Sequence, residues 1–221
     1  MMSLKKLYGM VKFIWADVAT ILILQNTIAI SAAKIFLKVP TILIGALNLI
    51  RMMRMKMIKC LEVGCNMIKV LFVCLGNICR SPMAQFVFKQ MVAEKGWIDR
   101  FEIDSAATEG YNEMCHAGIH YGTREILSDM NIPFEEHYSR RIRPADYAYF
   151  DYILVMDDSN IEDIQSIVGM DTQHKIYRLL DFTRNPRDIR DPWYTGNFDE
   201  TYRDICEGCQ AFLEYLNEIR D

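Results

Sequence analysis

Residues 69–82 read Lys-Val-Leu-Phe-Val-Cys-Leu-Gly-Asn-Ile-Cys-Arg-Ser-Pro, which is an apolar segment followed by a short loop and a helix start. The apolar run Val70–Val73 is typical of a buried strand. Ser81 is a preferred N-cap residue, and the proline after it is favoured at the first helical position. We therefore predict a helix over Pro82–Lys95 that ends at Gly96. A strand, a tight loop and a helix in this order predict an α/β fold.

The loop between this strand and this helix carries the residue types needed to attack a bound phosphate. Cys74 supplies a thiol, and a helix N-terminus favours both a thiolate and an anion. Gly76 lets the backbone approach an anion closely. Arg80 offers a planar fork of donors that matches two phosphate oxygens. Asn77 and Ser81 have side chains suited to holding the loop or the thiolate by hydrogen bonds.

A cysteine six positions before an arginine is weak evidence in a chain with seven cysteines. The apolar strand before Cys74 and the Ser-Pro helix start after it make the functional interpretation the stronger one. Cys79 has no second cysteine pair with which to form a zinc site together with Cys74, so we predict no metal. It is either a small filler of the loop or a partner of Cys74 in a reversible disulfide.

A second motif, Asp191-Pro192-Trp193-Tyr194, lies far along the chain. The residue before a proline favours extended geometry, so Asp191 should project from a loop. A carboxylic acid there could protonate a leaving phenolate and afterwards activate water. Trp193 and Tyr194 could form the walls of a slot for a phenyl ring. The alternative is a turn with two half-buried rings, which we would prefer without the Cys74 loop.

Residues 68–221 resemble the low-molecular-weight protein tyrosine phosphatases. Four segments carry this resemblance: 70–84, 104–108, 150–157 and 191–194. The resemblance implies that Cys74 is a nucleophile that forms a cysteinyl-phosphate. It also implies that Arg80 binds the phosphate and the transition state, and that Asp191 is the general acid and then the general base. No metal or organic cofactor is expected.

The resemblance implies a wider set of binding residues. The phosphate would be held by Leu75, Gly76, Asn77, Ile78, Cys79 and Ser81, with Ser105 supporting the loop asparagine and with Tyr111, Trp193 and Tyr194 lining the substrate slot. Two departures stand out. Gln85 replaces the glutamate usual in the family, and we expect it to lie on the first helix, away from the chemistry. The segment Glu109–Gly122 differs from the usual proline-containing rim, which leaves the substrate preference open.

Strand and helix patterns alternate after residue 67. Strands are predicted near 69–74, 101–104, 151–156 and 175–179, and helices near 82–95, 121–130, 159–168 and 198–220. Such alternation predicts a three-layer, doubly wound fold with a central parallel sheet of about four strands. In open sheets of this kind, ligands bind beyond the carboxyl ends of the strands, where the phosphate loop follows the first strand.

Residues 1–67 differ in composition from the rest of the chain. They hold nine Lys or Arg but only two acidic residues, whereas the remainder holds 16 basic and 27 acidic residues. We therefore predict an apolar, basic extension over 1–67 and a phosphatase domain over 68–221. The extension could be translated upstream sequence with Met67 as the natural start, a weak membrane anchor with Arg51–Lys59 on the cytoplasmic side, or a set of accessory helices.

The partners expected are phosphotyrosine proteins and a tyrosine kinase. The acidic domain lacks nucleic-acid motifs, so we expect no nucleic acid, and membrane contact is possible only through residues 1–67. A reactive cysteine and an odd cysteine count favour the cytoplasm. Two alternatives stay open: an arsenate reductase of the same fold, with Cys79 and Cys115 as relay thiols, and a phosphotyrosine-binding regulator without turnover.

Overall fold

The computed structural model describes residues 67–218, which form an all-parallel sheet with helices on both faces. The four strands are β1 (Ile68–Cys74), β2 (Phe101–Ala107), β3 (Tyr152–Val155) and β4 (Ile176–Arg178). The helices are α1 (Arg80–Glu94), α2 (Tyr111–Met114), α3 (Tyr121–Asp129), α4 (Pro144–Tyr149), α5 (Asp158–Val168), α6 (Pro192–Thr195) and α7 (Phe198–Glu218). Short 3-10 turns cover Ile98–Arg100 and Leu179–Phe182.

The strand order is β2-β1-β3-β4, so the first strand lies inside the sheet with a parallel neighbour on each side. Cys74, at its carboxyl end, lies opposite Ala107 of β2. Parallel neighbours need crossover connections, which here run through the helices and cover both faces. The predicted three-layer, doubly wound fold is therefore confirmed.

Successive side chains of β1 point to opposite faces of the sheet and enter two separate apolar clusters. Val70 and Phe72 belong to the larger cluster, which also contains the buried faces of α1 and α7. Leu71 and Val73 belong to the smaller cluster beneath α5. Because both faces of this strand are buried, its sequence is continuously apolar rather than alternating, as expected for a parallel sheet.

The last helix, α7, buries one stripe of side chains at helical spacing: Thr201, Ile205, Gly208, Cys209, Phe212, Leu213 and Leu216. Its start is capped by Asn197. Asn197 accepts a hydrogen bond from the backbone N–H of Glu200 (3.1 Å) and donates its amide to the carboxylate of Glu200 (3.0 Å). One cap thus satisfies an N–H that the first turn would leave unpaired.

The predicted N-cap of α1 is wrong. The helix begins at Arg80 with Cys79 at the N-cap, and no side chain caps it. The hydroxyl of Ser81 is not available for capping because it is bound inside the loop, where it accepts from Asn77. The predicted end is confirmed, since Gly96 has a φ of +69° and donates its N–H to the carbonyl of Ala93.

The sequence predicted all four strands and the four long helices α1, α3, α5 and α7 to within a few residues. It missed the short helices α2, α4 and α6, which have no room for a repeating apolar pattern. The proposed extension falls almost entirely outside the described residues. Among residues 67–218, no helix combines the length and the apolar character needed to cross a bilayer.

Gly208 gives a test of packing between α7 and the turn at Leu179. A Cβ added at Gly208 would lie 2.6 Å from Cγ and 3.0 Å from the backbone oxygen of Leu179. Glycine to alanine inside a helix normally stabilises by about 1 kcal/mol. We expect Gly208→Ala to have the opposite sign and to lower the free energy of unfolding by about 1–2 kcal/mol, measured by urea denaturation.

Gly118→Ala is the matched control, because the nearest atom to its added Cβ is 3.6 Å away. It should change stability by no more than about 0.5 kcal/mol. A stabilised Gly208→Ala protein would mean that the contact between α7 and Leu179 yields easily.

Candidate active site

The carboxyl ends of β1 and β3 meet the N-terminus of α1 around a cavity of about 240 Å³. The cavity is lined by Cys74, Leu75, Gly76, Ile78, Cys79, Arg80, Glu109, Tyr111, Asn112, Asp191, Trp193 and Tyr194. These residues come from the loop after β1, from the segment around α2, and from the N-terminus of α6. Asp191 is thus brought to the same cavity as Cys74 and Arg80, although it lies 111 positions after Arg80 in the sequence.

The thiol of Cys74 lies at the start of the loop and is almost completely buried. The backbone N–H of Asn77 donates to its sulfur at 3.3 Å. The hydroxyl oxygen of Ser81 lies 3.0 Å from the same sulfur. Both groups can donate to a thiolate, so the local hydrogen bonding is suited to a sulfur anion.

Asn77 holds the loop in its turned conformation. It has a φ of +51°, a left-handed conformation that asparagine tolerates better than most residues. Its amide nitrogen donates to the hydroxyls of Ser81 and Ser105, both at 2.9 Å, and its amide oxygen accepts from the backbone N–H of Arg140 at 3.1 Å. The side chain of one buried residue therefore ties the loop to α1, to β2 and to the segment before α4.

The expectation that Gln85 lies away from the chemistry is wrong. Gln85 is on α1, as expected, but it is buried, and its side-chain oxygen accepts from the hydroxyl of Ser105 at 2.6 Å. Since Ser105 itself accepts from Asn77, a chain of hydrogen bonds runs from Gln85 to the loop. The predicted pairing of Ser105 with Asn77 is present in the structure.

Several residues that line the cavity have backbone N–H groups without a partner in the described part of the chain. The N–H groups of Gly76, Ile78 and Cys79 have no acceptor among residues 67–218. The first N–H groups of α1 add to them, because the first turn of a helix leaves its N–H groups unpaired. A loop of this kind joined to a helix N-terminus is a site for a phosphate or another oxyanion.

Gly76 is needed for close packing in this loop. A Cβ there would lie 2.6 Å from the side-chain nitrogen of Asn112, which donates to the carbonyl of Gly76 at 3.0 Å. Ser139 donates to the same carbonyl, also at 3.0 Å. The carbonyl of Gly76 therefore accepts from two side chains, which tie the loop to the segments around Asn112 and Ser139.

Arg80 is buried and lies between two carboxylates. One of its terminal nitrogens donates to Asp157 (2.5 Å) and to the carbonyl of Ile189 (3.0 Å), and the other donates to Asp191 (2.5 Å). Burial opposes its charge, but the negative charges of Cys74, Asp191 and Asp157 outweigh this effect and raise its pKa. Its Nε is buried and has no hydrogen-bond partner among residues 67–218, so within this part of the chain one donor on the edge of the guanidinium remains available.

Asp191 occupies the N-cap of the short helix α6, in extended geometry as predicted. One carboxylate oxygen accepts from the backbone N–H of Trp193 at 3.0 Å, and the other accepts from Arg80. Asp191 therefore lines the cavity with its carboxylate held by two donors.

Cys79 lines the cavity but differs from Cys74 in its surroundings. Burial, followed by the nearby charges of Cys74 and Asp191, raises the pKa of Cys79 to about 12. It therefore stays a thiol at neutral pH and is a poor nucleophile. The described part of the chain shows no cluster of three or more metal-binding side chains.

Aromatic side chains form the outer wall of the cavity. Tyr111, Trp193 and Tyr194 all line it, and all three are more than half exposed. Their position at the mouth agrees with a slot into which a planar ring could enter from solvent.

Sequence reasoning missed Asp157 as a member of the site. Burial opposes its charge, but hydrogen bonds from Ser159 and Arg80 outweigh burial and lower its pKa. Asp157 follows β3, the neighbour of β1, so the rule that sites form beyond the carboxyl ends of adjacent strands could have identified it. No sequence rule could have identified Asn112 and Gln85 in this way, because their contacts depend on how distant segments pack.

The contact of Asp157 with Arg80 should contribute to stability in a pH-dependent way. Asp157→Asn keeps the cap of α5 but removes the charge, and we expect a loss of about 2 kcal/mol in the free energy of unfolding at pH 7. A folded-state pKa below the unfolded value means that this stability is present above about pH 3.9 and is lost as the pH falls through the folded value. Urea denaturation at pH 7 and pH 3 should show the difference between the two proteins shrinking at low pH.

Asp158→Asn is the control, since Asp158 is largely exposed and pairs with Arg178 at the surface. It should cost no more than about 0.5 kcal/mol. Equal losses in the two variants would mean that the pair formed by Asp157 and Arg80 contributes no more than a surface ion pair.

Comparison with known proteins gives a consistent result for this part of the chain. Residues 69–221 match the family model described as low molecular weight phosphotyrosine protein phosphatase. The chain is similar to the low molecular weight protein-tyrosine-phosphatase YfkJ of Bacillus subtilis, with 43% identity over 156 residues that cover 69% of this chain and 97% of the relative. It is also similar to PtpA of Staphylococcus epidermidis, with 37% identity over 151 residues that cover 68% of this chain and 94% of the relative.

Solved structures agree with the sequence comparisons. The crystal structure of YfkJ superposes with a TM-score of 0.66 at 41% identity and covers 71% of this chain and 98% of that chain. The structure of SP-PTP from Streptococcus pyogenes gives a TM-score of 0.60 at 39% identity and covers 68% of this chain and 93% of that chain. The chain belongs to the low-molecular-weight protein tyrosine phosphatase family.

Proposed function

We propose that this protein is a protein tyrosine phosphatase that hydrolyses phosphotyrosine through a cysteinyl-phosphate on Cys74. The observation that carries the proposal is the geometry around the Cys74 sulfur. It has the N–H of Asn77 at 3.3 Å and the hydroxyl of Ser81 at 3.0 Å, and it opens into a cavity that Arg80 and Asp191 also line. Membership of the family supports the same activity.

In the first step, the phosphoryl oxygens bind to the loop N–H groups and to Arg80. The Cys74 thiolate attacks phosphorus, an S–P bond forms, and the P–O bond to the phenol breaks. Asp191, as the acid, gives its proton to the leaving oxygen. Because Asp191 accepts from Arg80 in the structure, we expect the phosphate to take over that donor and free the carboxyl group for protonation.

In the second step, water attacks the phosphorus of the cysteinyl-phosphate. Asp191, now a carboxylate, accepts a proton from this water, the S–P bond breaks, and inorganic phosphate and the Cys74 thiolate are released. The loop donors and Arg80 stabilise the charge on the equatorial oxygens in both steps, which is the usual largest contribution in phosphoryl transfer.

Two observations favour phosphate-ester hydrolysis over arsenate reduction. Relay chemistry needs a second thiolate near Cys74, but the raised pKa of Cys79 keeps it protonated. Cys115 is exposed and does not line the cavity. A purely binding role would not need an acid, yet Asp191 lies at the cavity together with Cys74 and Arg80.

The substrates of such an enzyme are phosphotyrosine proteins. We further propose that a tyrosine kinase supplies them, and that the protein acts in the cytoplasm, where its thiolate stays reduced. We also propose that residues 68–221 are the catalytic domain and that residues 1–67 are an extension through which any membrane contact would occur. The family match over residues 69–221 supports this boundary.

Replacing the nucleophile tests the proposal directly. Cys74→Ser should abolish steady-state hydrolysis of para-nitrophenyl phosphate by the reduced full chain, because a serine hydroxyl there has no base to activate it. The protein should still bind inorganic phosphate, measured by calorimetry, since the loop donors and Arg80 remain.

Cys115→Ser is the matched control and should keep the wild-type rate, since Cys115 is exposed and outside the cavity. Clear turnover by Cys74→Ser would refute the nucleophile. A lost rate in Cys115→Ser would mean that the loss in Cys74→Ser does not by itself identify the nucleophile.

The acid is tested through the leaving group. Asp191→Asn keeps an acceptor for the Trp193 N–H but cannot give a proton. We therefore expect kcat/KM for phenyl phosphate, which reports only the steps up to formation of the cysteinyl-phosphate, to fall by about 100-fold or more. The loss should be smaller for a dinitrophenyl phosphate, whose leaving group needs no proton.

Asp188→Asn, an exposed carboxylate paired with Arg178, is the control and should leave kcat/KM unchanged for both substrates. A loss at Asp191 that is equal for both leaving groups would contradict the acid role.

A further inference from the structure

The ring of His120, just before α3, lies among three aromatic side chains. It stacks on Phe198 with 5.1 Å between centroids and an angle of 4° between planes. It meets Trp193 edge-to-face at 5.6 Å and lies 4.3 Å from the ring of Tyr121. Its backbone N–H donates to the carbonyl of Ile78 in the phosphate loop at 2.9 Å. One residue thus connects the loop, the start of α7 and the outer wall of the cavity.

The hydrogen bonds of His120 fix its charge state. Its Nδ1 accepts from the backbone N–H of Gly122 at 3.2 Å and caps α3, so this nitrogen carries no proton. Burial, followed by the positive charge of Arg124, lowers the pKa of His120. The imidazole is therefore neutral at pH 7 and can act as a flat aromatic surface toward its neighbours.

The stacked rings of His120 and Phe198 are held in place by the residues around them. A Cβ at Gly122 would lie 2.7 Å from the ring of Phe198, so the absence of a side chain there makes room for the stack. Phe198 begins α7 and packs against the main apolar cluster. The His120 ring is thus supported from behind by the core of the domain.

Trp193 packs edge-to-face against the His120 ring of this stack. It is 60% exposed and lines the cavity beside Cys74. An exposed indole that is free to rotate would lose conformational freedom on binding a ring, and this loss would weaken binding. Contact with the His120 ring restricts the indole before the ligand binds, so less conformational freedom is lost on binding.

We propose that His120 is a positioning residue that holds Trp193 as a wall of the substrate slot, so that it favours aryl phosphates over inorganic phosphate. The inference rests on the proposed function, because it takes the cavity as the slot for the phenyl ring. His120 itself touches neither the phosphoryl group nor Cys74 in this assignment. Its loss should weaken binding of the ring and leave the phosphoryl chemistry intact.

A role limited to capping α3 is the competing explanation, and two variants separate the two roles. His120→Asn keeps a cap acceptor but removes the ring, because asparagine is a good N-cap. His120→Phe keeps an aromatic ring but removes the acceptor that caps α3. If His120 positions Trp193, binding of the aryl ring should weaken in His120→Asn and be normal in His120→Phe. If His120 only caps α3, the reverse should hold.

The readout is a pair of inhibition constants measured on the full chain with para-nitrophenyl phosphate as substrate. Phenylphosphonate contains the ring, and inorganic phosphate does not. We expect His120→Asn to raise the inhibition constant of phenylphosphonate about fivefold, the equivalent of one aromatic contact, and to leave that of phosphate unchanged. KM should rise by a similar factor while kcat stays within about twofold, and His120→Phe should restore the phenylphosphonate constant.

Three results would overturn the proposal: unchanged phenylphosphonate binding in His120→Asn, weakened binding in His120→Phe alone, or equal losses for phenylphosphonate and phosphate. Acrylamide quenching of the Trp193 fluorescence, taken as the difference between each protein and the same protein with Trp193→Phe because the chain has three tryptophans, adds a readout that needs no turnover. This quenching should increase in His120→Asn but not in His120→Phe. Failure of the proposed function is distinguishable, because the wild-type chain would then show no hydrolysis that depends on Cys74.

Discussion

The active site depends on the side-chain amide of Asn77. Both of its N–H groups are used, one by Ser81 and one by Ser105, so each hydroxyl must send its own proton elsewhere. Ser105 gives its proton to Gln85, and Ser81 is left to donate toward the Cys74 sulfur or the carbonyl of Ala106. One buried amide therefore determines the direction of the hydrogen bonds around the thiol. It also stabilises the left-handed backbone that forms the loop.

Arg80 is paired with two carboxylates that come from different parts of the chain. Asp157 follows β3 and Asp191 precedes α6, and the guanidinium lies between them. The two segments also meet through the backbone hydrogen bond from Ile189 to Met156 (2.8 Å), and both of these residues belong to the main apolar cluster. The two carboxylates occupy the terminal nitrogens, and the buried Nε has no partner within the described part of the chain. An unpaired buried donor is costly, so the site is stabilised by any anion that reaches it.

The sequence predicted the fold because its signals are local. The apolar run of β1 and the 3.6-residue spacing of α7 need no knowledge of distant contacts. Cys74, Arg80 and Asp191 could be named because their residue types match a chemistry. Gln85 could not be placed correctly, since its contact depends on which face of α1 meets β2. The stack of His120 on Phe198 depends in the same way on tertiary packing.

The buried thiol of Cys79 has a consequence for chemical probes of this enzyme. Cys74 and Cys79 both line this cavity. Because its pKa is raised, Cys79 stays a thiol and does not supply the thiolate that reacts with an electrophile. A covalent inhibitor that enters the cavity at neutral pH would therefore form one adduct rather than a mixture. Warhead design for this pocket can then aim at a single sulfur and use the exposed aromatic rim for selectivity among related phosphatases.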